Sequence, residues 1–519
     1  MGVNHLLLPA LLWAGSTTAT VTESSPYANH IFNSIHSSMR QWGSSLQHNG
    51  MSFFLATVPA GTQFYHGTSH ADAVNGTEWL AFEPEHAMVF ARPHRGPPPG
   101  QDDDHSGDDD HDKKGLRVKR DDQGLESGWL HTYAAAKDLR LLYVDGMAAG
   151  KTANGTLDVE DRILFKDSLS EGTMMGERER AEKFCSMARE EWDDRLDGLL
   201  RMEAGFEIIL CDFARDLNEV RVTMTKPSEP FRGPGGGKRG KDGDSGLWLK
   251  AIAARYDGIG GNRVQLNYDN FVSAYTYGLD LFRSPNETFT LPRLKQFEAQ
   301  ELEPMREDLV TLIRTHEAKE AVFNWQAITD MVVERYAREI RYLASGQLSV
   351  EQFQAEIATT LAPFIDYGDR DGAQEAERCS MQFIPGGRLA DGTAATAVHS
   401  VTRSICATLV AAEQELDYPT AVALFQQLME YLAWSTWKQC SGCGDHEICV
   451  VPIWPMGTVE DYNHPQCHDA LHPGSEGEKY WGRFGPGHGP RPEEESSGWG
   501  QSLVSFLRSF FGALLGMGF

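Results

Sequence analysis

Residues 61–91 read GTQFYHGTSHADAVNGTEWLAFEPEHAMVFA, and the order of pieces within them restricts the fold more than any other stretch. An apolar strand carries Tyr65-His66-Gly67-Thr68 into a turn. A loop bearing the sequon Asn75-Gly76-Thr77 follows, then a short strand from Trp79 to Phe82. Glu83-Pro84-Glu85 then opens an amphipathic helix. Strand, loop, strand and helix in so short a span predict a mixed sheet-and-helix beginning.

The rest of the chain extends this pattern and then changes character. Residues 26–50 suggest a short helix ending at Gly43, and residues 52–58 and 62–66 read as strands around Pro59-Ala60-Gly61. Two more strands flank a turn within 129–145. Ala181, Phe184, Ala188, Trp192, Leu196 and Leu199-Leu200 recur at helical spacing and predict a helix over 177–203, followed by a buried strand at 206–211. Long helical patterns occupy 294–345, 349–365, 394–417 and 419–438, with Val310, Ile313, Ile328, Val332, Tyr336, Ile340 and Leu343 as the first apolar stripe. The expected class is α+β. A mixed α/β region spans 26–290, a helical region 291–438, a Cys/Pro-rich tail 439–495 and an apolar segment 496–519. Residues 93–124, with two Asp triplets and the basic run Arg117-Val118-Lys119-Arg120, and the Gly/Lys-rich residues 228–246 read as solvated insertions.

Several features point to the secretory route. Residues 1–19 combine a short apolar run, His5 to Gly15, with small residues behind it, and Thr17 and Ala19 suit a cleavage site. Three sequons, at Asn75, Asn154 and Asn286, are candidate glycosylation sites. The cysteines Cys185, Cys211, Cys379, Cys406, Cys440, Cys443, Cys449 and Cys467 are even in number, which in an oxidising compartment predicts four disulfides. Zinc is the competing reading at Cys440, Cys443 and Cys449, with His446, His464 and His468 nearby, although only one CxxC pair is present. A net charge of −27 argues against nucleic-acid partners. The final apolar segment is short and interrupted by Arg508, so it reads as an amphipathic helix or a processed anchor signal, the one route to membrane or cell-wall association.

Three tempting motifs fail on context. Gly146-Met147-Ala148-Ala149-Gly150-Lys151-Thr152 is one residue short of a P-loop, and Asn154-Gly155 breaks the helix that should follow. Gly243-Asp244-Ser245-Gly246 matches a serine-protease tetrapeptide but lies in the Gly/Lys-rich insertion. His316-Glu317-Ala318-Lys319-Glu320 lacks the second His of a zinc-protease helix.

The stretch around Tyr65-His66-Gly67-Thr68 resembles the opening of the His-type ADP-ribosyltransferase fold. That resemblance implies NAD as cofactor, with His66 gripping the adenine-side ribose and Gly67 allowing close approach to the nicotinamide amide. Tyr65, Thr68 and Ser69 would support them, and Phe90 would stack where the family carries Tyr. An acid is also required, and Glu207 and Asp257 are candidates by their place on or near later strands. A broader resemblance rests on the segments starting at Trp79, Leu141 and Ala254 and on the tail from Trp434 to Cys467. Together these look like a fungal family of secreted proteins with no assigned function. The expected function is that of a secreted or surface-associated glycoprotein of unknown activity, with a non-catalytic surface protein as one form of it. The alternative is NAD-dependent ADP-ribosyl transfer or NAD glycohydrolysis through His66.

Overall fold

The computed structural model describes residues 26–93, 127–170, 176–226, 250–252, 263–283, 290–387, 389, 392–469 and 477–481. The leader, almost all of the two insertions with Arg117 to Arg120, Asp257, Asn286 and the apolar segment 496–519 lie outside the described residues.

Nine strands form one sheet: β1 (Asn49–Val58), β2 (Gln63–Thr68), β3 (Glu78–Ala81), β4 (Trp129–Ala135), β5 (Leu139–Gly146), β6 (Gly198–Met202), β7 (Phe206–Leu210), β8 (Leu217–Met224) and β9 (Gln265–Ser273). Their order is β8-β4-β2-β3-β7-β6-β5-β1-β9, antiparallel throughout except between β5 and β6. All ten residues of β1 are buried, as expected for a strand covered on both faces. Two short helices precede it, α1 (Ala28–Ser37) and α2 (Gln41–Leu46). Gly43 lies inside α2 rather than ending a helix, and its lack of a Cβ, which would sit 2.5 Å from Ser37 Oγ, admits the close approach of α1.

The helix expected over 177–203 is shorter. α4 (Glu177–Glu190) follows the brief α3 (Pro84–Met88) in the chain, and Asp193 and Asp194 then take left-handed φ of 51° and 55°. That geometry cannot continue a helix. Leu199 and Leu200 therefore belong to β6, at the middle of the sheet. The one-turn α5 (Phe213–Asp216) leads into β8, an edge strand whose mostly exposed residues gave no apolar pattern to read.

The helical region comprises α6 (Ala299–Thr315), α7 (Trp325–Leu343), α8 (Val350–Leu361), α9 (Gly372–Ser380), α10 (Thr393–Gln414) and α11 (Tyr418–Leu432). The long pattern over 294–345 is two helices, the second restarted by Asn324, whose side chain accepts from Ala327 N. This region is stitched to α1 and α2. Asn29 and Asn33 donate to the carbonyls of Tyr431 and Leu432, Trp42 Nε1 donates to Ser435 O at 3.1 Å, and Arg40 forks onto Asp330 at 2.6 and 2.7 Å. Among the described residues, no helix is long and apolar enough to cross a membrane.

The cysteine-rich tail folds back onto the sheet. After the hairpin of β10 (Glu447–Cys449) and β11 (Cys467–Asp469), Tyr480 and Trp481 pack on the buried His48, with ring centroids 5.4 and 4.8 Å away. Trp454, also fully buried, places its ring 5.2 Å from Lys151 Nζ.

Candidate functional site

Residues paired directly across antiparallel strands project from the same face of a sheet, and neighbours along one strand project from opposite faces. Tyr65 pairs with Ala81, and Ala81 pairs with Glu207. Tyr65, Gly67 and Glu207 therefore share one face, and His66 leaves the other. The face carrying Gly67 is covered by α3: a Cβ on Gly67 would lie 2.0 Å from Ala87 O and 2.6 Å from Ala91 N. Phe90, just beyond α3, stands 6.1 Å from the ring of His86. His66 is thus separated from both residues expected to complete its site, the acid Glu207 and the stacking ring Phe90. The parity of β2 and β7 is set by pairing through β3, which the spacing of motifs along the chain does not reveal.

On its own face His66 meets Phe213, centroids 5.6 Å apart, and His131 at 6.4 Å. Its Nδ1 lies 2.7 Å from Trp79 O. Burial lowers the His66 pKa, against the opposing pull of Glu78 and that carbonyl. A neutral imidazole that gives its Nδ1 proton to a carbonyl presents Nε2 as an acceptor. His131 is itself engaged, with Nε2 3.1 Å from His70 O and Nδ1 3.3 Å from Tyr133 Oη. Thr68 pairs with Trp129 at the end of β2 and is partly buried, as is Tyr65.

The densest chemistry lies on the Glu207 face. Arg201 on β6 is fully buried and touches three carboxylates: Glu207 at 3.0 Å, Glu160 at 2.9 Å, and Glu177 at the start of α4. Lys151, from the turn after β5, bonds Glu203 and lies 3.7 Å from Glu177. The lysine of the near-P-loop is therefore consumed by an internal ion pair. Arg180 adds contacts to Asp161 at 2.9 Å and to Glu160 and Glu177 at 3.6 Å. His86 sits against Gly205, where a Cβ would come within 2.9 Å of the imidazole Nδ1.

Burial and charge pull these groups in different directions. Burial pushes Glu160 and Glu203 up to about 7 despite Arg201 and Lys151. It raises Glu207 as well. Burial also acts to raise Glu177, but Arg201, Lys151 and Arg180 together hold it at about 2. His86 falls to about 4 through burial and the charge of Lys151, so its ring is neutral. Ligand atoms of His86, Glu203 and Glu207 lie within 4.8 Å of one another. Of these only Glu207 was singled out from the sequence. The available signal was a charge inside an apolar strand, as in Leu199-Leu200-Arg201-Met202 and Phe206-Glu207-Ile208-Ile209.

The cysteines form four disulfides. Cys185–Cys211 ties α4 to the end of β7, Cys379–Cys406 ties α9 to α10, and Cys440–Cys449 and Cys443–Cys467 close the tail. The thiols weighed for zinc are thus engaged in these bonds. Asn75 is exposed. Asn154 is partly buried, its Nδ2 donates to Tyr480 O at 3.2 Å, and Thr156 of the same sequon is buried.

Comparison with known proteins finds likeness over the first part of the α/β body. The family model described as the YPL277C N-terminal domain matches residues 24–123 and 93–234. Two relatives from Saccharomyces cerevisiae are similar to this chain, the uncharacterized proteins YPL277C and YOR389W. The first is 33% identical over 218 residues, covering 38% of this chain and 43% of the relative. The second is 33% identical over 217 residues, covering 38% of this chain and 34% of the relative. The chain spans less than half the length of these curated relatives. The likeness to these fungal proteins covers the N-terminal region, and the whole buried ion cluster falls within the matched span.

Proposed function

We infer that this protein is a secreted or surface-associated glycoprotein whose α/β body is a non-catalytic scaffold. The observation that carries this reading is the engagement of all eight cysteines in disulfides, a state that persists in oxidising compartments. The separation of His66 from Glu207 and Phe90 favours a scaffold over a transferase. Exposed Asn75 suits a glycan, whereas the amide of Asn154 is engaged with the tail.

Expression of the full chain in a yeast host tests the reading. The protein is expected in the medium or wall fraction, without maleimide-reactive thiols, and with an endoglycosidase-sensitive mass that drops in Asn75→Gln. Retention in the cytosol with reduced cysteines would overturn it.

One observation favours a second reading. His66 Nε2 is set as an acceptor by the Nδ1 contact to Trp79 O, which is the polarity that a ribose hydroxyl requires. Incubation with NAD discriminates the two. Nicotinamide release by wild type that is lost in His66→Ala supports the NAD-dependent activity, and background release from folded protein supports the scaffold.

A further inference from the structure

We propose that His86, Glu203 and Glu207 hold a divalent transition-metal ion inside the α/β body. All three side chains are buried, and one ligand atom from each lies within 4.8 Å of the others. Donors around a common ion stand roughly 3.5 Å apart, so small inward shifts bring the three together. One imidazole with two carboxylates suits Zn²⁺, Mn²⁺ or Fe²⁺.

Three further observations support an ion here. The first is charge. Five carboxylates, Glu160, Asp161, Glu177, Glu203 and Glu207, surround three cations, Lys151, Arg180 and Arg201. All but Asp161 are buried, and carboxylates outnumber cations by two, an imbalance that a dication would offset with every carboxylate ionised. The second is Glu177 Oε1, a buried oxygen that accepts no hydrogen bond and lies between Arg180 at 3.6 Å and Lys151 Nζ at 3.7 Å. A metal taking Glu203 frees Lys151 to close onto that oxygen. The third is Gly205. A Cβ there would come within 2.9 Å of the imidazole Nδ1, so glycine leaves room for the His86 ring beside the turn that joins Glu203 to Glu207.

Metal analysis of the full chain, purified without immobilised-metal chromatography, tests the site. About one equivalent of a single transition metal per chain is expected. Its removal by dipicolinate lowers Tm, and Zn²⁺ or Mn²⁺ alone restores it. His86→Gln is expected to lose the ion, whereas Glu160→Gln, in the same cluster but outside the triad, keeps it. Should His86→Gln fail to fold, stripping and reloading the wild type decides. Folded wild type with less than about a tenth of an equivalent, and with no Tm change on adding Zn²⁺, Mn²⁺ or Fe²⁺, would show the cluster to be an ion-pair network alone.

Discussion

Arg201 and Glu207 face each other directly across β6 and β7, joined Nε to Oε1 at 3.0 Å with both side chains buried. The pair anchors a wider set of buried charges near the middle of the sheet. Such groups are costly to bury and stay ionised only while their partners hold them. The cluster therefore contributes little net stability over an apolar core, but it penalises any arrangement that separates its members. Arg201→Met leaves Glu160, Glu177 and Glu207 without their shared cation, and the expected cost is about 3–5 kcal/mol. Urea unfolding of the variant against wild type measures it. A loss below about 1 kcal/mol would mean that the carboxylates are already compensated by other groups.

Gly67 was read as the residue that admits a nicotinamide amide, and the structure gives it another task. It lets the backbone at Ala87 to Ala91 approach β2. Gly67→Ala is expected to destabilise by about 1–3 kcal/mol, because the contacting atoms are backbone and cannot rotate away. Thr68→Ala, one residue on, should cost less. Thermal melts of the two variants compare them directly.

The sheet strands around Tyr65 and Leu142 were legible because alternation and turn residues mark them independently of context. β6 was not, since Leu196, Leu199 and Leu200 fit a helical stripe until Asp193 and Asp194 turn the chain. The edge strand β8 was lost for the opposite reason: exposed on most of its residues, it carries no hydrophobic period. His66, Glu207 and Phe90 were each placed on sensible elements, but which face each one leaves depends on register through β3. Register is a property of long-range pairing rather than of local sequence.

Cys185–Cys211 closes a loop of 26 residues between the later half of α4 and the end of β7. On the loop-entropy estimate this bond contributes about 3–4 kcal/mol. The variant Cys185→Ser/Cys211→Ser is expected to lose most of that. The equivalent tail variant, Cys440→Ser/Cys449→Ser, closes only 9 residues and should lose less. Denaturation of both under non-reducing conditions tests the ranking, and equal losses would point to native-state packing rather than chain entropy.

His48 ties the tail to the sheet, and its ionisation sets a pH limit on that contact. The ring is fully buried, with Nε2 2.6 Å from Tyr480 Oη and Nδ1 2.6 Å from Asn49 Oδ1. Burial lowers its pKa to about 4, helped by the charge of Arg293 and opposed by the Asn49 contact. Between about 6.5 and about 4 the unfolded chain holds a proton that the folded chain refuses. Stability therefore rises with pH across this window and is lost as pH falls through it. From pH 7.5 to pH 5 the loss attributable to His48 is about 2 kcal/mol. Glu203, raised to about 7, acts in the opposite sense, because its folded form takes up a proton first and gains stability on acidification. These contributions, joined by those of Glu160 at about 7 and His86 at about 4, overlap in wild type, so the net slope alone does not report on His48. His48→Gln removes one of them. Its stability should be lower than wild type at pH 7.5, and the gap should narrow by about 2 kcal/mol at pH 5. Urea titrations of both proteins at the two pH values supply the comparison, and a gap that stays constant would mean that His48 is protonated in the folded protein.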